Sequence, residues 1–244
     1  METLFTMNIK YLMKNKYNMK ISAMSDMHGN LPQIEPCDLL LIAGDISPLR
    51  IQNRWELMVG WMNEEFYPWV KTLPCKKVIM VAGNHDFYHF REGVKGIYED
   101  IGINSLEDKL VYLENSLFEY EGIKIYGTPN CIGPIGWPFC DTKETYEKYE
   151  LIEPCNILLT HQPPKFDKVG CSYPYQWGER DFGSDHLINK VFEHKIDYVV
   201  CGHIHTGIHD GVRCPLGGKT SILYNVSLLN EDYEMVYPVT YFEI

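Results

Sequence analysis

The chain has 244 residues, 45% of them apolar, enough to bury one sizeable core and typical of a single compact enzyme domain. Its formal charge of −11, from 22 Lys and Arg against 33 Asp and Glu, comes without a basic stripe, which excludes a sequence-independent binder of duplex nucleic acid because phosphate contacts need clustered cations. No apolar run has the length of a membrane span, and eight Cys without a C-x-x-C pair read as reduced thiols of a cytoplasmic enzyme, not as a disulfide framework.

Residues 1–18, with Lys10, Lys14 and Lys16 but no signal-like apolar stretch, read as a leader or flexible extension, and 19–244 as one domain. Short runs rich in Val, Ile and Leu at 21–24, 39–43, 78–82, 157–160 and 198–201 have the character of strands buried on both faces. Helical patterns fall at 52–71, 142–151 and 184–194. In the first of these Trp55, Val59, Met62, Phe66 and Trp69 form an apolar stripe at helical spacing, suited to packing on a sheet. The end, 221–244, reads as antiparallel strands. Alternating strands and helices predict an α/β domain built on a mixed sheet or two packed sheets with helices outside.

Each of the five apolar runs leads into residues that bind divalent metal. They are Asp26-Met27-His28, Gly44-Asp45, Gly83-Asn84-His85-Asp86, His161-Gln162-Pro163 and Gly202-His203-Ile204-His205. Loops beyond strand ends carry ligands and chemistry in layered α/β folds, so these groups are expected to converge on one sheet edge. One Asp-x-His in a loop is usually a turn and a surface imidazole; five such groups in order are a site. Hard oxygens from Asp and Asn mixed with imidazole suit Mn, Fe or Zn better than Ca or Mg, and the absence of Cys argues against a structural zinc knot. Two ions ~3.5–4 Å apart would hold a bridging hydroxide and clamp phosphoryl oxygens for in-line displacement at phosphorus. One carboxylate must then serve both ions, and Asp45 is the natural candidate.

In that order these motifs, D-x-H, G-D, G-N-H-D/E, H and G-H-x-H, resemble the calcineurin-like metallophosphoesterase superfamily over about 19–244. The resemblance implies an α/β fold, an αββα sandwich of mixed β-sheets flanked by helices. It also implies Asp26, His28 and His205 on one metal, Asn84, His161 and His203 on a second, Asp45 on both, and His85 beside them assisting the leaving group. The stretches Tyr126-Gly127-Thr128-Pro129, Thr160-His161-Gln162-Pro163-Pro164, Gly202-His203-Ile204-His205-Thr206-Gly207 and Tyr224-Asn225-Val226-Ser227 look closest to small phosphoesterases related to class III cyclic-nucleotide phosphodiesterases. The implied activity is hydrolysis of a small phosphodiester or phosphomonoester with two divalent ions, Mn foremost. Homo-oligomerisation is left open.

The chain departs from the protein-phosphatase pattern G-D-x-x-D-R-G: Pro48 replaces the Asp that would orient the catalytic His, and Arg50 stands one position late. Asp86 is the candidate to orient His85 instead. A serine/threonine-type protein phosphatase and a non-catalytic protein-binding adaptor on the same fold are the alternative readings. His89, His186, His194 and His209 belong to no motif and are expected at the surface, His89 near enough to the third motif to reach a pocket. Asn30 would either donate to substrate or cap a turn. Two aromatic loops, 130–141 with Trp137 and Phe139 and 171–183 with Tyr173, Tyr175 and Trp177, either wall the pocket or pack onto the domain.

Overall fold

A computed structural model describes residues 18–172 and 180–244. One five-stranded sheet contains β1 (Lys20–Met24), β2 (Cys37–Ala43), β3 (Cys75–Val81) and β4 (Leu110–Tyr112), all parallel, with β13 (Thr240–Glu243) antiparallel on the outer side of β1. A six-stranded sheet takes β5 (Ser116–Tyr120), β6 (Ile123–Thr128), β7 (Ile157–Thr160), β10 (Tyr198–Cys201), β11 (Val212–Pro215) and β12 (Thr220–Asn225) in the order β11-β12-β10-β7-β6-β5. A short ribbon of β8 (Cys171–Ser172) and β9 (Arg180–Asp181) stands apart.

Strand parity explains why both faces of each sheet are apolar. Ile21, Ala23, Leu39, Leu41, Ile79 and Val81 point into a layer shared with Ile125, Ile157, Leu159 and Val200 of the other sheet. Their neighbours Met24, Leu40, Ile42, Val78 and Met80 point outward, onto a helical layer. Leu158, Val199 and Cys201 do the same on the far side of the second sheet. Each fully buried aliphatic side chain of this kind contributes roughly 1.5–3 kcal/mol, so three stacked cores hold the four layers together. The result is a helix, sheet, sheet, helix sandwich.

The first outer layer is a continuous helical run, α1 (Trp55–Trp61), a π-helical segment (Met62–Phe66) and α2 (Tyr67–Thr72), followed by α3 (Phe87–Ile103). The apolar stripe faces the sheet as its spacing predicts: Met62 and Phe66 are fully buried, and Trp55, Val59 and Trp69 pack at the margin. On the opposite side lie α4 (Thr142–Tyr149) and α5 (Asp185–His194), each capped at its N-terminus by a side-chain oxygen, Asp141 accepting from Glu144 N and Ser184 from Leu187 N. No helix among the described residues is long and apolar enough to cross a membrane.

Three sequence expectations need correcting. Helix α3 has no counterpart among the predicted helices, because Gly93, Gly96 and Gly102 interrupt its pattern; at Gly93 the backbone turns to φ +64° and breaks the helix. The C-terminal strands do not form one antiparallel unit: β12 runs parallel to β10 and antiparallel to β11, whereas β13 crosses to the other sheet. Finally, the metal-binding motifs do not share one sheet edge. The first three leave β1, β2 and β3, the last two leave β7 and β10 of the second sheet, and a parallel bridge between Ser25 and Ser227 joins the two edges there.

Candidate metal centre

The loops after β1 and β2 lie side by side, tied by backbone hydrogen bonds from Asp26 N to Gly44 O (3.0 Å), His28 N to Asp45 O (3.0 Å) and Gly29 N to Ile46 O (2.9 Å). Asp26, His28, Asp45 and His203 all adopt left-handed φ, between +44° and +68°. Non-glycine residues rarely do so, and a cluster of them at one place is backbone strain stored at a site. Glycines admit the close packing: a Cβ on Gly44, itself at φ +95°, would sit 2.7 Å from His161 Nδ1, and one on Gly83 would sit 2.6 Å from His161 Cε1.

Asp86 holds the second and third loops together. Its buried carboxylate accepts from the backbone N–H of Gly83 (2.8 Å), Asp45 (2.8 Å), Ile46 (3.0 Å) and Ser47 (3.0 Å) and from Ser47 Oγ (2.7 Å). With its oxygens committed to these donors, it positions Asp45 and leaves the orientation of His85 to another group. That group is Gln52, whose Oε1 lies 2.7 Å from His85 Nδ1, while His85 N donates to Asp45 Oδ1 at 2.8 Å.

One subset of the predicted ligands gathers around Asp26. His205 Nε2 is 3.4 Å from Asp26 Oδ1, and His205 Nδ1 donates to the carbonyl of Asn230 at 2.9 Å, which fixes the tautomer. Asp26 also accepts from Ser25 Oγ, from Ser227 Oγ (2.7 Å) and from His203 N (3.0 Å). The His28 and His205 rings are 5.7 Å apart. A second subset surrounds His161. Its Nδ1 donates to Ala43 O at 2.8 Å, leaving Nε2 at 3.0 Å from Asn84 Oδ1 and 3.4 Å from Asp45 Oδ2, with the His203 ring 4.9 Å away. All seven predicted ligands therefore come together.

The geometry fits cations. Both ring nitrogens of His28 are buried without a hydrogen-bond partner among the described residues, a cost of about 1–3 kcal/mol each, and a metal would relieve it at the nitrogen it binds. Donor atoms of Asp26, His28 and His205, and of Asp26, Asp45 and His161, lie within 4.8 Å of one another. Electrostatics point the same way. Burial opposes the charge on His161, but the Asp45 and Asp26 carboxylates overcome it and raise its pKa to about 10; Asp26 likewise raises His205 to about 9. Withdrawal from water and the neighbouring His161 hold His203 down at about 3, and burial lowers His28, so these imidazoles are neutral and ready to ligate. Against the opposing effect of burial, His205 keeps Asp26 well below the ordinary carboxylate range, and His161 does the same for Asp45.

Several supporting residues escaped the sequence reading. Ser25 adjoins Asp26, and Asn225 and Ser227 lie in a stretch noted only for its wording. Asn225 Nδ2 donates to Ile204 O (2.7 Å) and Val169 O (3.0 Å), while its Oδ1 accepts from Ser227 N and Oγ, anchoring the last motif. Tyr233 stands with its ring edge-on to His28 (5.2 Å) and His205 (5.5 Å), and no sequence signal announces it. Asn30 is a turn cap, its Nδ2 donating to Met27 O at 2.8 Å. His89, expected at the surface, is fully buried, with its ring 5.4 Å from that of Tyr112. His186, His194 and His209 are half-buried; His209 stacks on Tyr237 at 3.6 Å and its Nε2 reaches His205 O at 2.8 Å. Of the first aromatic loop, Trp137 meets the His85 ring edge-on at 4.8 Å and walls the site, whereas Phe139 is buried against Phe90. Tyr173, Tyr175 and Trp177 lie outside the described residues.

A two-sheet sandwich that gathers Asp, Asn and His at its joined strand ends defines an α/β protein of the metallophosphoesterase type. The calcineurin-like phosphoesterase family model matches residues 19–207, and the chain belongs to that family. It is 29% identical over 245 residues to metallophosphoesterase domain-containing protein 1 of Homo sapiens, covering 88% of this chain and 67% of that protein. UPF0046 protein T07D4.2 of Caenorhabditis elegans is 26% identical over 89% of this chain and 58% of its own length. The crystal structure of TT1561 of Thermus thermophilus shares the fold, with a TM-score of 0.51 at 12% identity over 86% of this chain and 91% of that one.

Proposed function

We propose that the chain hydrolyses small phosphodiesters or phosphomonoesters with two divalent ions, Mn foremost. The observation that carries this reading is the place of Asp45. Its Oδ2 lies 3.8 Å from His28 Nε2 and 3.4 Å from His161 Nε2, so one carboxylate faces both ligand subsets. Asp26, His28 and His205 would hold one ion, Asn84, His161 and His203 the other, and Asp45 both. When bound, the ions supply activation of the attacking water and neutralise charge on the phosphoryl oxygens.

The chain's own groups complete the chemistry. Asp86 fixes the backbone that presents Asp45, and Gln52 accepts from His85 Nδ1, directing Nε2 at the departing oxygen, to which the ring would give a proton when it enters the step as the imidazolium. Trp137 restrains the His85 ring from the side and narrows access to it. With Pro48 at the position of the orienting Asp of the protein-phosphatase pattern, Gln52 is the group that orients His85 in this chain.

The test is hydrolysis of bis(4-nitrophenyl) phosphate by purified Mn-loaded protein, together with metal analysis. Turnover with two ions per chain is expected, and His85→Asn should slow turnover while both ions stay bound. Failure of the Mn-loaded protein to hydrolyse the ester, or a stoichiometry of one ion, sinks the proposal.

A further inference from the structure

Beside the ligand subset that contains His28 opens a cleft of about 900 Å³, lined by Pro48, Arg50, Arg54, Trp61 and Glu65 as well as His28 itself. That volume suits a whole small organic molecule, well beyond a bare phosphate. Arg50 and Arg54 come from the loop after Asp45, which two consecutive turns hold in place, Ile51 N donating to Pro48 O (3.0 Å) and Arg54 N to Ile51 O (2.8 Å).

The two guanidinium groups have neither an ion pair nor a hydrogen-bond partner among the described residues. Several other cations are matched, Lys76 with Asp38, Lys190 with Glu150 and Glu193, Lys219 with Asp197, and Arg91 covers Trp55; Lys71, Lys124, Lys195 and Arg213 are without an ion pair among the described residues, but none of them lines this cleft. Two unpaired guanidinium groups lining one cleft together with the apolar surface of Pro48 and Trp61 and the candidate ligand His28 form a receptor for an anion attached to a hydrophobic spacer. Glu65 also lines the cleft and disfavours an anion placed against it.

We propose that this cleft is a second anion subsite, and that the preferred substrates are phosphate esters whose organic group bears a further phosphate or carboxylate. The proposal rests on the reading that the scissile phosphate sits at the Asp45 cluster. The organic group would lie on Pro48 and Trp61 and the second anion on Arg50 and Arg54.

The experiment is calorimetric binding of thymidine 3′,5′-bisphosphate and thymidine 5′-monophosphate to the Mn-loaded full chain, in wild type and in an Arg50→Ala/Arg54→Ala double variant. Both arginines are exposed, so the variant keeps its core. Wild type should prefer the bisphosphate by about tenfold or more, as expected for hydrogen bonds between charged groups, and in the variant the ratio should fall to about one. A ratio near one in wild type, or an unchanged ratio in the variant, overturns the proposal. Hydrolysis of bis(4-nitrophenyl) phosphate, which carries no second anion, separates the two readings. Turnover without a bisphosphate preference removes only the subsite, and a preference without turnover removes only the catalytic reading.

Discussion

The two halves of the ligand cluster are built differently. Around His161 the protein supplies the order: Nδ1 is bonded to Ala43 O, Nε2 faces Asn84 and Asp45, and the ring is sealed from solvent. Around His28 it does not. That ring carries two buried nitrogens without partners, touches His85 and Tyr233 only by ring edges, and borders the open cleft with Arg50 and Arg54. The sealed half is ordered before any cation arrives; in the other half Asp26 and His205 are likewise held by hydrogen bonds, but His28 itself needs a ligand to satisfy it and borders the open cleft.

Asp45 belongs to both halves, so Asp45→Ala should do the most damage. A loss of hydrolysis on the order of 10³-fold is expected, with metal analysis showing depletion of both ions; loss of one ion alone would confine Asp45 to one half. Next comes the contrast between His161→Ala and His28→Ala in chelator-treated protein. The first strands Ala43 O and a buried carboxylate and should cost about 1–3 kcal/mol; the second removes two unsatisfied nitrogens and should cost less by at least about 1 kcal/mol. Urea unfolding measures both, and equal losses would erase the distinction. Ser227→Ala, which deprives Asp26 of a 2.7 Å donor, should weaken metal affinity by about 10–100-fold without abolishing it, as read by metal titration.

The smallest effect is on pH. His161 and His205 are raised from their ordinary 6.5 to about 10 and about 9, so their contribution to stability without metal is complete below pH 6.5 and is lost as pH rises through those values. Metal uptake, which needs the neutral rings, should strengthen over the same range and release protons, measurable by calorimetry in buffers of different ionisation heat. Affinity independent of pH between 6.5 and 9 would contradict the protonation of these two rings.

Much was legible without coordinates because it is local. Runs of Val, Ile and Leu ending in Gly, Asp, Asn or His mark strands with functional ends, and the stripe from Trp55 to Trp69 marks a helix packed on a sheet, since periodicity and ligand chemistry are properties of neighbouring residues. The seven candidate ligands that the fold brings together were all named from motif order. Helix α3 was hidden because its glycines mimic a loop, and the burial of His89 because nothing next to it along the chain reveals what packs above it.

What the sequence determined by itself was the inventory: the five strands that lead into the motifs, the candidate ligands and the family resemblance they carry. Tertiary structure alone decided that those ligands leave two sheets joined at Ser25 and Ser227, that Asp86 grips backbone while Gln52 orients His85, and that Tyr233, Arg50 and Arg54 border the centre. The reason is physical. A side chain's type is fixed by its codon and its periodic position by its neighbours, but its hydrogen-bond partner is chosen by packing among residues far apart in the chain, such as Asp26 and Ser227, separated by 201 positions.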